Sequence, residues 1–102
     1  MRYFLDIAYR GTAFHGWQIQ PNAITVQEEI NRALSTLLQV NTECLGSGRT
    51  DAGVHASQQI AHFDVKQKLD TDLFQYKLNA LLPHDISIQG IRLVKDEAHA
   101  RF

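Results

Sequence analysis

The first strand of this chain is predicted by a strict alternation of side chains. Residues 2–9 place four large hydrophobic side chains on one side and a mixed set on the other, as expected for a β-strand with one buried face. The first set is Tyr3, Leu5, Ile7 and Tyr9, and the second is Phe4, Asp6 and Ala8.

Three further segments are predicted to be strands. Residues 57–65 alternate like residues 2–9, and residues 43–47 form a shorter candidate. Residues 86–94 form the last strand, in which the pair Ile86 and Ile88 changes face relative to Ile91 and Leu93. A β-bulge at Gly90, between the two pairs, would explain the switch. The two sides of residues 57–65 are Ala61, Phe63 and Val65 against Ile60, His62 and Asp64.

Two helices are indicated by start signals followed by hydrophobic residues at helical spacing. Thr25 and Glu28 form a capping box, in which the threonine is followed three residues later by a glutamate. This helix should end near Asn41. The second helix should start at residues 70–71 and end at Pro83, which cannot continue a helix. The predicted buried faces are Val26, Ile30, Ala33, Leu34, Leu37 and Leu38 in the first helix, and Phe74, Leu78, Leu81 and Leu82 in the second.

The order of these elements is βαββαβ, which is the order of the ferredoxin-like α+β fold. Two helices then cover one face of a four-stranded antiparallel sheet. Residues 2–9 and 57–65 supply the central strands, and the opposite face is left for a further domain, a subunit or a ligand.

Composition narrows the class of protein. The 102 residues, 44% hydrophobic and 21% charged, fit one compact globular domain. No run approaches the ~20 apolar residues of a membrane span. The N-terminus lacks the apolar region of a signal peptide, so a cytoplasmic location is expected. A net charge of −1 with scattered basic residues argues against a large nucleic-acid footprint. The single cysteine, Cys44, is interpreted as a small half-buried strand residue.

The candidate chemistry lies in a glycine-rich loop between the second and third strands. Asp51 stands two residues after Arg49, and Gly46, Gly48 and Gly53 surround the pair. Glycines let a backbone approach another molecule closely, and an arginine can keep a neighbouring carboxylate ionised and oriented. Asp51 is therefore the candidate catalytic group, against the simpler interpretation that it bonds its own backbone in a turn.

The motifs of this chain occur in an order that resembles the tRNA pseudouridine synthases of the TruA type, and the resemblance spans the whole chain. Two positions depart from the family pattern: Arg10 stands where an aspartate is common, and Ala98 where a phenylalanine is common. The motifs are Gly11-Thr12-Ala13-Phe14-His15-Gly16-Trp17-Gln18-Ile19-Gln20, Thr25-Val26-Gln27, Gly48-Arg49-Thr50-Asp51-Ala52-Gly53-Val54-His55-Ala56, His62-Phe63-Asp64, Leu78-Asn79-Ala80-Leu81-Leu82-Pro83 and Ala100-Arg101-Phe102.

The resemblance implies an enzyme that isomerises uridine to pseudouridine in the anticodon stem-loop of tRNA, with no cofactor and no metal. Family members continue past this point into a segment carrying an active-site tyrosine and a second, similar domain. A homodimer is expected for the full-length protein. Residues 1–102 are therefore expected to be the N-terminal, catalytic-loop domain, which should fold but be inactive alone.

The resemblance also implies roles for single residues. Asp51 matches the family's essential aspartate, and its role as nucleophile or general base stays open. Arg49 matches an arginine that fills the space left by the displaced nucleotide. Thr50, His55 and Trp17 are the further candidates for substrate binding. For His55 the alternative is a structural hydrogen bond in its loop, and for Trp17 it is packing within its own loop.

Two rival interpretations keep the fold and drop the catalysis. A non-catalytic RNA-binding module would place aromatic residues on the two central strands, and a regulatory or oligomerisation domain would pair through its free sheet face. His62 is expected to face that open side as a satisfied polar residue rather than a catalytic one. Neither rival needs Asp51, so replacing it separates both from an enzyme.

Overall fold

The computed structural model describes residues 1–10, 25–46 and 56–97, apart from the side chains of residues 56 and 57. The four strands form one antiparallel sheet in the order β2-β3-β1-β4, so β1 and β3 are central as predicted. This arrangement confirms the ferredoxin-like α+β class. The elements are β1 (Arg2–Arg10), α1 (Val26–Leu38), β2 (Leu45–Gly46), β3 (Ala56–Asp64), α2 (Thr71–Leu81) and β4 (Ile86–Val94).

One core lies between the sheet and the two helices. Every hydrophobic side chain predicted for the buried side of β1 is at most 3% exposed. Aromatic rings extend this layer from β1 to α2, because the centroids of Tyr3 and Phe63 are 5.9 Å apart and those of Phe63 and Phe74 are 6.1 Å apart. The helices contribute Val26, Ile30, Ala33 and Leu34 from α1 and Phe74 and Leu78 from α2.

Helix α1 begins as predicted and ends early. The Thr25 hydroxyl accepts a hydrogen bond from the Glu28 amide at 3.4 Å, which confirms the cap. The helix ends at Leu38 rather than near Asn41, because Gln39 adopts a left-handed conformation with φ 57° and ψ 30°. A helix end of this kind usually has glycine or asparagine at the left-handed position. The glutamine at this position therefore did not predict the end of the helix. Leu37 and Leu38, predicted to be buried, are only partly buried against the core.

Helix α2 is capped by Asp70, whose carboxylate accepts from the Leu73 amide at 3.3 Å. The prediction that Leu81 is buried is wrong, since this residue is 48% exposed. Phe74, Leu78 and Leu82 are spaced four residues apart and form the buried stripe. Leu81 falls beside that stripe, because one residue back along a helix turns the side chain by ~100°.

The predicted bulge in β4 is confirmed, but its effect differs from the expectation. Asp6 pairs with Gly90 and Ile7 with Ile88, so Gln89 is the extra residue. Paired residues point to the same side of a sheet. Ile91, which pairs with Leu5, therefore lies on the helix side together with Ile88. The extra residue shifts the alternation along β4 by one position. The hydrophobic residues before and after it therefore lie on the same face.

Helix α2 also satisfies the backbone of the edge strand β4. The Ile88 amide donates to Asn79 Oδ1 at 2.8 Å, and the Ile88 carbonyl accepts from Asn79 Nδ2 at 3.1 Å. Gln75 Nε2 donates to the same carbonyl at 3.0 Å. The Asn79 side chain thus takes the place of a neighbouring strand at this position.

Candidate functional site

The residues singled out for chemistry lie outside the described residues. These are Asp51, with Arg49, Thr50, His55 and Trp17 as substrate-binding candidates. Their roles stay predictions. The segments on either side of the Asp51 loop are described, and they determine where that loop starts and ends.

Both ends of the Asp51 loop are held by the sheet. Before the loop, Gly46 pairs with Ala61; after it, Ala56 pairs with Arg10. The two attachment points are five residues apart along β3, or about 17 Å at the usual rise of a strand. Residues 47–55 therefore leave and re-enter a sheet whose central strands are rigidly paired, which is a suitable support for a reactive group.

Helix α1 fixes the chain just before the loop. Asn31 Oδ1 accepts from the Cys44 amide at 2.8 Å, and Gln27 Nε2 donates to the Cys44 carbonyl at 2.7 Å. These side chains replace the ladder bonds that Cys44 would make in a strand, so β2 begins at Leu45 rather than near residue 43, as predicted. Gln27, part of the Thr25-Val26-Gln27 motif, thereby positions the start of the Asp51 loop.

The thiol of Cys44 is fully buried rather than half-buried, at 2% exposure. Burial raises its pKa to about 12, since the thiolate would lose its hydration. A thiol that stays protonated at neutral pH is a poor nucleophile. Cys44 is therefore a packing residue of the core and not a candidate nucleophile.

A cleft of about 360 Å³ lies at the end of the sheet where the Asp51 loop rejoins it. Arg10, the partner of Ala56, lines it together with His84 and Asp85. The Arg10 amide donates to the Asp85 carbonyl at 2.9 Å, which fixes this end of β1 against the turn before β4. Arg10, one of the two departures from the family pattern, therefore places a positive charge beside the loop.

The sheet face opposite the helices, called the open face here, carries Phe4, Asp6 and Ala8 of β1. Phe4 lies between His62 on β3 and Arg92 on β4. The Phe4 and His62 ring centroids are 6.3 Å apart at 30°, and Arg92 Cζ lies 5.4 Å from the Phe4 centroid. His62 thus faces the open side as predicted, and it is only 6% exposed.

An ion pair lies at one end of the open face. Arg2 Nε donates to Asp64 Oδ1 at 2.8 Å, and Arg2 Nη2 donates to Oδ2 at 3.1 Å. This two-point contact lowers the pKa of the Asp64 carboxyl, mainly through the Arg2 hydrogen bonds. Beyond this pair, the strand pairing places the charged side chains of Asp6, Arg10 and Arg92 on the same face.

Sequence reasoning missed the set formed by Phe4, Asp6 and Arg92. The signal was present in the alternation of β1, which places an aromatic residue and an acid on the side away from the core. Arg92 could not be aligned with Phe4 from sequence alone, because the bulge at Gln89 shifts the register of β4 by one residue.

Within the described ranges, no helix is long and apolar enough to cross a membrane. The same ranges contain no group of three or more histidine, cysteine, aspartate or glutamate side chains arranged to hold a metal ion.

Comparison with known proteins identifies the family. The family model described as tRNA pseudouridine synthase matches residues 7–102. A tRNA pseudouridine synthase A of Bacteroides thetaiotaomicron is 58% identical over 101 residues, and one of Bacteroides fragilis is 57% identical over 102. One of Ruminiclostridium cellulolyticum is 52% identical over 98 residues. The alignments cover 99%, 99% and 96% of this chain but 38%, 40% and 40% of those proteins. The chain spans about two fifths of the length of these relatives, and it belongs to the tRNA pseudouridine synthase family.

Proposed function

We propose that this chain carries the catalytic aspartate of an enzyme that converts uridine to pseudouridine in the anticodon stem-loop of tRNA. The match of residues 7–102 to the family, with the Asp51 motif inside it, carries the proposal. The alternative is a non-catalytic ferredoxin-like domain for RNA binding or oligomerisation, in which Asp51 has no chemical task.

The reaction needs one well-placed carboxylate and no outside reactant. The N1–C1′ bond breaks, the uracil turns, and a C5–C1′ bond forms. The proton on C5 is lost and N1 gains one, so substrate and product have the same atoms. An aspartate with its ordinary pKa near 3.9 is ionised at neutral pH. It can attack C1′ or the pyrimidine ring, or remove a proton from C2′.

Arg49 is proposed to hold Asp51 ionised and to stabilise the opened RNA. Extruding a nucleotide costs a few kcal/mol, and a planar guanidinium can both stack and donate. Thr50, His55 and Trp17 are proposed to contact the RNA around the reacting uridine. The strand pairing of Gly46 and Ala56 fixes both ends of the Asp51 loop. This supports a catalytic role for the loop, because a catalytic group must be held in place.

The complete enzyme is proposed to be longer than this chain, to act on tRNA in the cytoplasm and to form a homodimer. The chain spans about two fifths of its relatives, and its net charge is −1. Binding tRNA requires several phosphate contacts from lysine and arginine. We therefore expect the 102 residues alone to fold and to show no turnover.

The experiment uses an extended protein, defined as this chain continued by the remaining length found in its relatives. Unmodified tRNA labelled with tritium at C5 of uridine releases tritium when pseudouridine forms. We expect release by the extended protein and none by its Asp51→Asn variant, because an amide carries no charge and takes no proton. Asp72→Asn, an exposed acid on α2, is the matched control and should keep full activity.

Two results would oppose the proposal in different ways. Tritium release by Asp51→Asn at the rate of the unchanged protein would remove Asp51 from the chemistry. A folded extended protein that binds the tRNA but releases no tritium would favour the RNA-binding alternative.

A further inference from the structure

The open face carries a shallow depression beside the stacked Phe4. Phe4 pairs with Arg92 on β4. Two residues further along β1, on the same face, Asp6 lies between Gly90 and Ile60. Because Gly90 has no side chain, a depression of about 150 Å³ opens between these residues. A Cβ built on Gly90 would meet no atom within 4 Å. The depression therefore has room for one planar nucleobase.

The wall of this depression suits a nucleobase. The Phe4 ring and the Arg92 guanidinium are flat groups of the two kinds on which splayed bases stack in RNA complexes. They lie on β1 and β4 of the face that neither helix covers. Ile60 adds an apolar contact on the β3 side. An unstacked base could therefore replace water against Phe4 without disturbing the core.

The floor of the depression supplies a hydrogen-bond acceptor. Among residues 1–10, 25–46 and 56–97, no hydrogen bond or ion pair is made by the half-buried Asp6 carboxylate. An ionised carboxylate accepts hydrogen bonds and donates none. It therefore favours bases with an exocyclic amino group, namely N4 of cytosine, N6 of adenine or N2 of guanine. Uracil presents O4 in place of that amino group, and its one ring donor, N3–H, lies between two carbonyl oxygens that would face the carboxylate unfavourably.

We propose that the depression between Phe4, Asp6, Gly90 and Arg92 binds one unstacked base of the RNA substrate that carries an exocyclic amino group, which is cytosine, adenine or guanine. The identification of the RNA as tRNA rests on the proposed function. Because uracil is disfavoured, the occupant is a neighbour of the reacting uridine rather than the uridine itself. The site would hold the substrate in register while the Asp51 loop acts elsewhere on the strand.

The test is a titration of the ¹⁵N-labelled chain with cytidine, adenosine and uridine RNA pentamers, followed by NMR. We expect the amides of residues 4–6, 60 and 90–92 to shift with the cytidine and adenosine pentamers. The affinity for these two should exceed that for the uridine pentamer by about tenfold, the discrimination typical of a specific base contact. Shifts confined to other residues, or equal affinity for all three pentamers, would overturn the proposal.

Three variants test the depression without relying on one folded mutant. Gly90→Val fills an open space, so it should fold and lose binding. Phe4→Leu should weaken binding by about tenfold through the lost stacking. Asp6→Asn should remove the preference for cytidine over uridine, since an amide both donates and accepts. Tyr76→Leu removes an aromatic ring that is 73% exposed on α2 and is the matched control, with no expected change.

The outcomes separate this site from the catalytic proposal. If folded Gly90→Val binds the cytidine pentamer as the unchanged chain does, the depression is not the site, while tritium release by the extended protein is untouched. If the extended protein shows no shift at residues 4–6 because another part of the molecule covers them, the proposal also fails. Pentamer binding without tritium release would instead leave this site standing and oppose the proposed isomerase.

Discussion

The two sides of β1 show how one strand serves two purposes. On the helix side, Leu5 and Ile7 are fully buried and belong to the core cluster that includes residues of both helices. On the open side, Phe4 and Asp6 are half-buried and lie beside Arg92 and Gly90. The helix side consists of large hydrophobic and aromatic side chains, whose burial contributes stability. The open side keeps an acid, a cation and a ring, which are groups that recognise ligands. With the proposed base site, binding and stability would be separated by the alternation of a single strand.

The largest expected effect is a loss of stability when a buried residue on the helix side is truncated. Leu5→Ala should lower the free energy of unfolding by roughly 2–5 kcal/mol, the usual cost of emptying a buried leucine site. Its neighbour on the open side provides the comparison, since Asp6→Ala should change stability by no more than about 0.5 kcal/mol. Urea unfolding of both variants measures the difference. Equal losses would mean that both sides of β1 belong to the core.

A smaller effect is expected at the edge of the sheet. Asn79→Ala removes the partner of the Ile88 amide and one of two donors to its carbonyl. We expect a loss of about 1 kcal/mol and faster hydrogen exchange at the Ile88 amide. Asn41→Ala, at an exposed asparagine after α1, is the control. If exchange at Ile88 is unchanged, water replaces Asn79 without cost.

The buried thiol gives a prediction that depends on pH. Because the pKa of Cys44 is raised to about 12 in the folded protein and a free thiol titrates near 8.5, its contribution to stability is complete below about pH 8.5. It is lost as the pH rises toward the folded value. Comparison with Cys44→Ala should show a steeper loss of stability above pH 8.5 for the unchanged chain. Fast alkylation of the native thiol at pH 7 would contradict the buried position.

The smallest effect is expected at the end of the open face. The pKa of Asp64 is lowered by Arg2, so the pair stabilises the fold above the unfolded pKa near 3.9. That contribution disappears as the pH falls through the lower folded value. Because the Asp64 side chain is 61% exposed, solvent weakens the pair. Asp64→Asn should lower the melting temperature slightly at pH 7 and by less as the pH is lowered, and an equal change at every pH would exclude the ion pair as its cause.

Much of the fold was predictable from the sequence because periodicity and caps are local signals. The alternation of β1, the capping box at Thr25 and the helical spacing of hydrophobic residues predicted the elements and their order. The errors have tertiary causes. Cys44 looked like part of a strand, yet Gln27 and Asn31 bond its backbone instead. Gln39 ends α1 in a left-handed conformation, which a glutamine does not predict.

The candidate sites divide in the same way. Asp51 and its neighbours were found because their chemistry is contiguous in the sequence, although their roles stay predictions. The open-face set was missed because Phe4 and Arg92 are 88 residues apart in the chain. They meet only through a strand pairing whose register depends on one bulged residue.

The central claim is that the helix side of the sheet sets stability and the Asp51 loop sets chemistry. The most direct measurement takes two readings, melting temperature and tritium release, on one preparation of the extended protein and its Asp51→Asn variant. The account predicts the same melting temperature within about one or two degrees, a stability change below about 0.5 kcal/mol, and no release by the variant. A variant that melts well below the unchanged protein, or one that still releases tritium at the full rate, would contradict the claim.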